Sequence, residues 1–92
     1  MSEASPGTVI TTGESAHAQG EIEQTIKGVE GHLASINRAR LNAQDAADYD
    51  QIKGFIADAR TALKEQDDLR AHSLAEKAAR LTTQLMGRVG SP

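Results

Sequence analysis

The sequence predicts an all-α fold, an antiparallel up-down-up three-helix bundle, and three observations predict it. Three stretches of similar length space their apolar residues alternately four and three apart. Short acidic turns divide them, and each stretch is acidic where it starts and basic where it ends. The 4-3 spacing puts the apolar side chains on one stripe of a helix, the stripe that is buried against neighbours. The charge asymmetry complements each helix macrodipole, worth ~0.3–1 kcal/mol per well-placed charge. Connections of about three to five residues leave neighbouring helices antiparallel.

The elements follow in order. Residues 1–19 are rich in Ser, Thr, Gly, Glu and Ala, broken by Ser5-Pro6-Gly7 and Thr12-Gly13. Such a segment buries too little surface to offset its ordering entropy, so it reads as a disordered tail or tether. The strand-like Val9-Ile10-Thr11-Thr12 is too short to stand alone. The first helix is expected near 20–41, with the seam Ile22, Ile26, Val29, Leu33 and Ile36. Glu21 and Glu23 open it, and Arg38 and Arg40 close it. The second is expected near 44–65, with the seam Tyr49, Ile52, Ile56, Ala59 and Leu63. Asn42 is its expected N-cap, with Asp45, Asp48 and Asp50 in its opening turns. The third is expected near 68–87, with the seam Ala71, Leu74, Ala78, Leu81 and Leu85. Asp67 or Asp68 caps it, and Gly87, Gly90 and Pro92 end it, leaving 88–92 as a short tail. The bundle thus occupies 20–87 as one domain.

Two features qualify the stability of this bundle. Gly28, Gly31 and Gly54 lie inside helices but off the seams, each costing roughly 1 kcal/mol against Ala. The first helix carries two of them and should be the loosest. Phe55 and Tyr49 are the only aromatic residues, so the core is thin. Ala59, Ala71 and Ala78 should lie where the second and third helices approach most closely, with Ala79 off the seam.

Composition narrows the function classes. A formal net charge of -3 argues against a general nucleic-acid binder, which shows a basic balance. No apolar run approaches the ~20 residues that span a bilayer. Met1 is followed by polar and small residues, unlike a signal peptide. The chain has no cysteine, which excludes disulfides, thiolate metal sites and cysteine nucleophiles.

Phe55 with Ala59, the turn Gln66-Asp67-Asp68, and Ala71 with Ala78 follow a recognisable order of large, small, turn, small and small residues. On these residues the stretch from Phe55 to Leu81 resembles one tetratricopeptide (TPR) unit, a helical hairpin built on small interface residues. The sequence departs from that pattern in lacking a turn glycine, with Ala75 at an aromatic position and Thr83 at the closing proline. The resemblance implies a protein-binding hairpin preceded by one N-terminal helix. A second resemblance concerns the layout. The Ser/Thr/Pro/Gly tail, then Leu41-Asn42-Ala43-Gln44, Ala62-Leu63 and Leu74-Ala75-Glu76-Lys77-Ala78, is similar to the mature regions of small uncharacterised bacterial envelope lipoproteins. It implies a tethered envelope domain, which requires a lipid-bearing cysteine upstream of Met1.

Catalytic and metal chemistry finds little support in the residues. His17, His32 and His72 fit no metal spacing and read as ordinary exposed histidines. Asp45, Asp48 and Asp50 lack the alternating ligands, turn glycine and closing glutamate of a calcium loop, so they read as helix N-terminal acids. No Ser or Thr has a nearby His-carboxylate arrangement, and a thin bundle offers no evident cavity. No enzyme, cofactor or metal site is expected.

The remaining feature is a basic row beside the third seam, Arg70, Lys77 and Arg80, joined by Ser73 and Gln84. It reads either as long stems covering the core edge with their charges in water, or as a stripe for an acidic partner or anionic lipid. The sequence therefore points to a non-catalytic helical interaction or scaffold module, using a helix face to hold a protein partner. A structural unit whose seams self-associate is the alternative.

Overall fold

Short polar side chains decide where the helices begin and end. The computed structural model of the chain describes residues 12–89 and contains α1 (Thr12–Ala34), a 3₁₀ turn (Arg38–Arg40), α2 (Ala43–Lys64) and α3 (Asp68–Val89). The disordered tail expected over 1–19 lies outside the described residues up to residue 11, and the chain is helical from Thr12. Glu14, Ala16, Ala18 and Gln19 are good helix formers, so α1 extends upstream of the first seam residue without periodicity.

At its other end α1 stops earlier than residue 41, and the reason is local. The Ser35 hydroxyl donates to the His32 carbonyl at 2.7 Å. The Ser35 and Ile36 amides donate three residues back, to His32 and Leu33, which tightens the last turn. The Asn37 side chain then accepts from the Ala39 amide at 3.1 Å and starts the 3₁₀ turn. Arg38 and Arg40 thus lie in the connection rather than in the last turn of α1. Ile36 leaves the helical seam but stays half-buried, folded over the end of the core.

The α2 start is as expected: the Asn42 side chain accepts from the Asp45 amide at 2.8 Å. Its end is a Schellman turn. The Asp67 amide donates to the Ala62 carbonyl at 2.8 Å and the Gln66 amide to the Leu63 carbonyl at 3.0 Å. That turn puts Gln66 in the left-handed region at φ 63°, a conformation costing roughly 1–2 kcal/mol for a non-glycine residue. Asp67 is the cap of α3, its carboxylate accepting from the Arg70 amide at 3.2 Å. Gly87 does not end α3, which continues through Arg88 to Val89, while Gly90 and Pro92 lie outside the described residues.

Packing is asymmetric. α3 lies close against both other helices, whereas α1 and α2 come near each other at few points. Principal extents of 59 × 23 × 15 Å describe an elongated, flat arrangement, open on the side between α1 and α2. The buried face of α3 is made mostly of small residues, with Ala71 and Ala78 fully buried and Ala75 and Thr82 nearly so, and ends on the fully buried Leu85. From the other side come Ile22, Ile26, Val29 and Leu33 of α1 and Ile52, Ile56, Ala59 and Ala62 of α2.

This geometry corrects the third seam. Leu74 and Leu81 are only half-buried, and Ala75 and Thr82 take the central places. Periodicity finds one stripe, but a helix held between two neighbours buries a wider face centred between them. The Thr82 hydroxyl donates to the Ala78 carbonyl at 2.7 Å and so carries no unmet hydrogen bond into the core. Ala79, expected off the seam, is half-buried against the core. The glycines agree with expectation: a Cβ at Gly28, Gly31 or Gly54 would meet nothing within 4 Å.

Candidate functional site

Three arginines tie the elements together, each held by carboxylates from another element. Arg88, in the last turn of α3, donates through Nε to Asp45 at 2.9 Å and through Nη2 to Asp48. Asp45 is 8% exposed, so this contact compensates a largely buried carboxylate. Arg60 of α2 reaches across the splayed side to α1, donating to Glu23 at 3.1 Å and Glu30 at 2.8 Å. Arg38 of the 3₁₀ turn holds Asp50 through two parallel hydrogen bonds, the Nε one at 2.8 Å. The hydrogen bond from Arg38 holds the Asp50 carboxyl below its ordinary range. The hydrogen bonds that Arg60 donates to Glu30 and Arg88 donates to Asp45 raise those guanidiniums above theirs. Asp45, Asp48 and Asp50 therefore do more than start a helix: the first two together anchor Arg88 of α3, and Asp50 anchors Arg38 of the 3₁₀ turn.

The sequence-predicted row lies on α3, and the structure shows Arg70, Lys77 and Arg80 all exposed. The Lys77 ammonium sits 5.1 Å from the centre of the Phe55 ring on α2, a cation–π contact that fixes the row beside the outer α2–α3 seam. Phe55, Leu74 and Leu81 are half-buried along that seam. Neither Arg70 nor Arg80 forms an ion pair among the described residues. The same is true of the exposed Asp58 of α2 and of Glu65, which caps its C-terminal end; sequence reasoning did not single them out. Asp58 follows Phe55 by one turn and Glu65 follows Asp58 by two, so both border the side of α2 that carries Phe55. The signal that could have found them is their spacing, which equals that of Arg70 and Lys77.

The bundle has grooves but they open to solvent. One of about 510 Å³ lies between α1 and α2, floored by Leu33, Ala34, Tyr49, Ile56 and Ala57 and crossed at its rim by Arg60. His17 lies beside Glu21, with Nε2 3.3 Å from the carboxylate, and His32 and His72 are exposed on different helices. Among the described residues no cluster of three or more His, Asp or Glu is arranged to hold a metal ion. None of the described helices is long and apolar enough to cross a membrane. Comparison with known proteins finds no matching family model, no similar curated protein and no similar solved structure.

Proposed function

We propose that this chain is a non-catalytic helical interaction module whose binding surface is the outer face of the α2–α3 hairpin. One contrast carries the reading. Arg38, Arg60 and Arg88 are engaged by carboxylates within the fold, whereas Arg70 and Arg80 on α3, like Arg40 in the 3₁₀ turn, are exposed without one among the described residues. A guanidinium presents a planar fork suited to carboxylates, and here two such forks flank an ammonium already placed over an aromatic ring. The half-buried Phe55, Leu74 and Leu81 supply the apolar centre that a binding surface needs beside its polar rim. The resemblance of the hairpin to a TPR unit supports the same role. The net charge of -3 disfavours nucleic acid as the partner. Envelope tethering through the residues that precede Thr12 belongs to this proposal only if a lipid-bearing cysteine precedes Met1.

The test compares proteins captured from a native extract at low salt by the wild type and by the Arg70→Glu/Lys77→Glu variant. Exposed charges are worth only ~0–1 kcal/mol each, so the fold survives the change. The expected result is several-fold loss of specific partners. Equal recovery by both forms overturns this surface.

A further inference from the structure

We infer that the partner held by the outer α2–α3 face is a second copy of this chain, docked about a two-fold axis parallel to the helices. In that arrangement α3 of each protomer lies over α2 of the other. The inference rests on the reading of this face as the binding surface and adds the identity of its occupant.

The argument is one of charge and register. The α3 border of the face is basic, through Arg70 and Lys77, and the α2 border is acidic, through Asp58 and Glu65. Each pair is two helical turns apart, about 10.5 Å. The antiparallel register of the hairpin is set by Lys77 opposite Phe55 and supported by Arg88 reaching Asp45. Stepping along both helices from the first contact puts Leu74 opposite Asp58 and Asp67 opposite Glu65. Lys77 and Arg70 are then each displaced from the level of an acid by three residues, about 4.5 Å, and in the same direction. A two-fold axis along the helices preserves these levels and exchanges the borders. It therefore brings Lys77 of each protomer to Asp58 of the other, and Arg70 to Glu65, within reach of the long basic side chains. Two like pairs with matched spacing form a self-complementary surface, which an isologous dimer requires.

Size sets the expected strength. The face is roughly 33 Å long and two helices wide, so it would cover roughly 600 Å² per protomer. That lies below the standard interface, so the dimer should be weak and form on the order of 10–100 µM. Half-buried Phe55, Leu74 and Leu81 would meet their counterparts in the middle, ringed by the charges.

The experiment is sedimentation equilibrium of the full chain from micromolar to 1 mM, in low and high salt. The mass should rise from 9.8 kDa toward twice that value, with a several-fold weaker association at high salt. Arg70→Glu/Lys77→Glu and Asp58→Lys/Glu65→Lys should each remain monomeric with wild-type helicity. An equimolar mixture of the two variants should dimerise again, because every opposed pair is then complementary. A wild type that stays monomeric at 1 mM and low salt overturns the inference. So does a variant that still dimerises alone, or a mixture of folded variants that does not associate. Partner capture separates this from the broader reading: a monomeric wild type that still loses a partner on Arg70→Glu/Lys77→Glu removes only the second copy. Loss of neither removes both.

Discussion

The two contacts that α2 makes are built on opposite principles. The α2–α3 pair buries small residues, Ala71 and Ala78 on α3 and Ala59 and Ala62 on α2, small enough to let the backbones approach. Toward α1, α2 contributes larger side chains, Ile52 and Ile56, and the two backbones stay apart. The gap at the rim is crossed by Arg60 with Glu23 and Glu30 instead of being closed by packing. Close-packed alanine interfaces fix geometry because any added atom collides. A splayed interface bridged by half-exposed charges tolerates change and is held less firmly. The α2–α3 contact is thus the more extensive of the two, and α1 is held chiefly by its packing on α3.

Overpacking breaks this comparison most directly. Ala71→Leu or Ala78→Leu should cost ~1–3 kcal/mol, because these positions are fully buried at the α2–α3 approach. Ala57→Leu, in the open α1–α2 groove, should stay within about 0.5 kcal/mol of wild type. Denaturant midpoints of the folded variants check both. Similar costs at Ala57 and Ala78 would show that the two interfaces are equally tight.

Glycine replacement should sharpen the comparison in the opposite direction. Gly28 and Gly31 face open space on α1, so Ala at either site gains helix propensity without a clash. Each change should raise stability by about 0.5–1 kcal/mol, measured by chemical unfolding. Amide hydrogen exchange should show the gain in α1, and should show α1 opening before the hairpin in the wild type. Gly54→Ala should give a similar rise in stability, but with the increase spread over α2 and α3.

How much of this was legible in the sequence differs between elements. The second helix was read in part: its cap, Asn42, and Ile52, Ile56 and Ala59 of its seam hold, while Tyr49 and Leu63 are half-buried and Ala62 takes a buried place. The end of the first helix was missed because Ser35 and Asn37 compete locally with a periodicity that continues through Ile36. On the third helix Leu74 and Leu81 outweighed Ala75 and Thr82 by hydrophobicity. Only the positions of both neighbours show which of them face inward. The basic row was visible as a pattern, and its position beside Phe55 was not, because that contact joins separate helices. Arg38 was read as a helix-end charge for the same reason.

Removing the bridge across the splayed side should have a smaller effect. Arg60→Met keeps the aliphatic stem but deletes the ion pairs to Glu23 and Glu30, whose partner is 38% exposed at its side chain. The expected loss is ~0–1 kcal/mol at low salt and less at high salt. Its clearest sign should be faster amide exchange in α1 with little change in α2 and α3. Uniform acceleration through all three helices would mean that α1 opens only with the whole molecule.

The smallest expected effect tests the junction between the two regions, where Arg38 pins the α1–α2 connection to Asp50. The Asp50 pKa is lowered in the folded chain, chiefly by the hydrogen bond from Arg38. A depressed carboxylate stabilises the fold above its unfolded pKa, about 3.9, and that contribution fades as pH falls through the folded value. Asp50→Asn should therefore lower the thermal midpoint slightly at pH 7. The difference should shrink below about pH 4 and vanish once Asp50 of the wild type is protonated. Both groups are exposed, so added salt should also narrow the gap at neutral pH. If Asn stays equally destabilising in strong acid, its cost comes from lost packing or helix propensity at position 50. The pin would then not be ionic, and the connection would owe its place to Ile36 and the Asn37 cap.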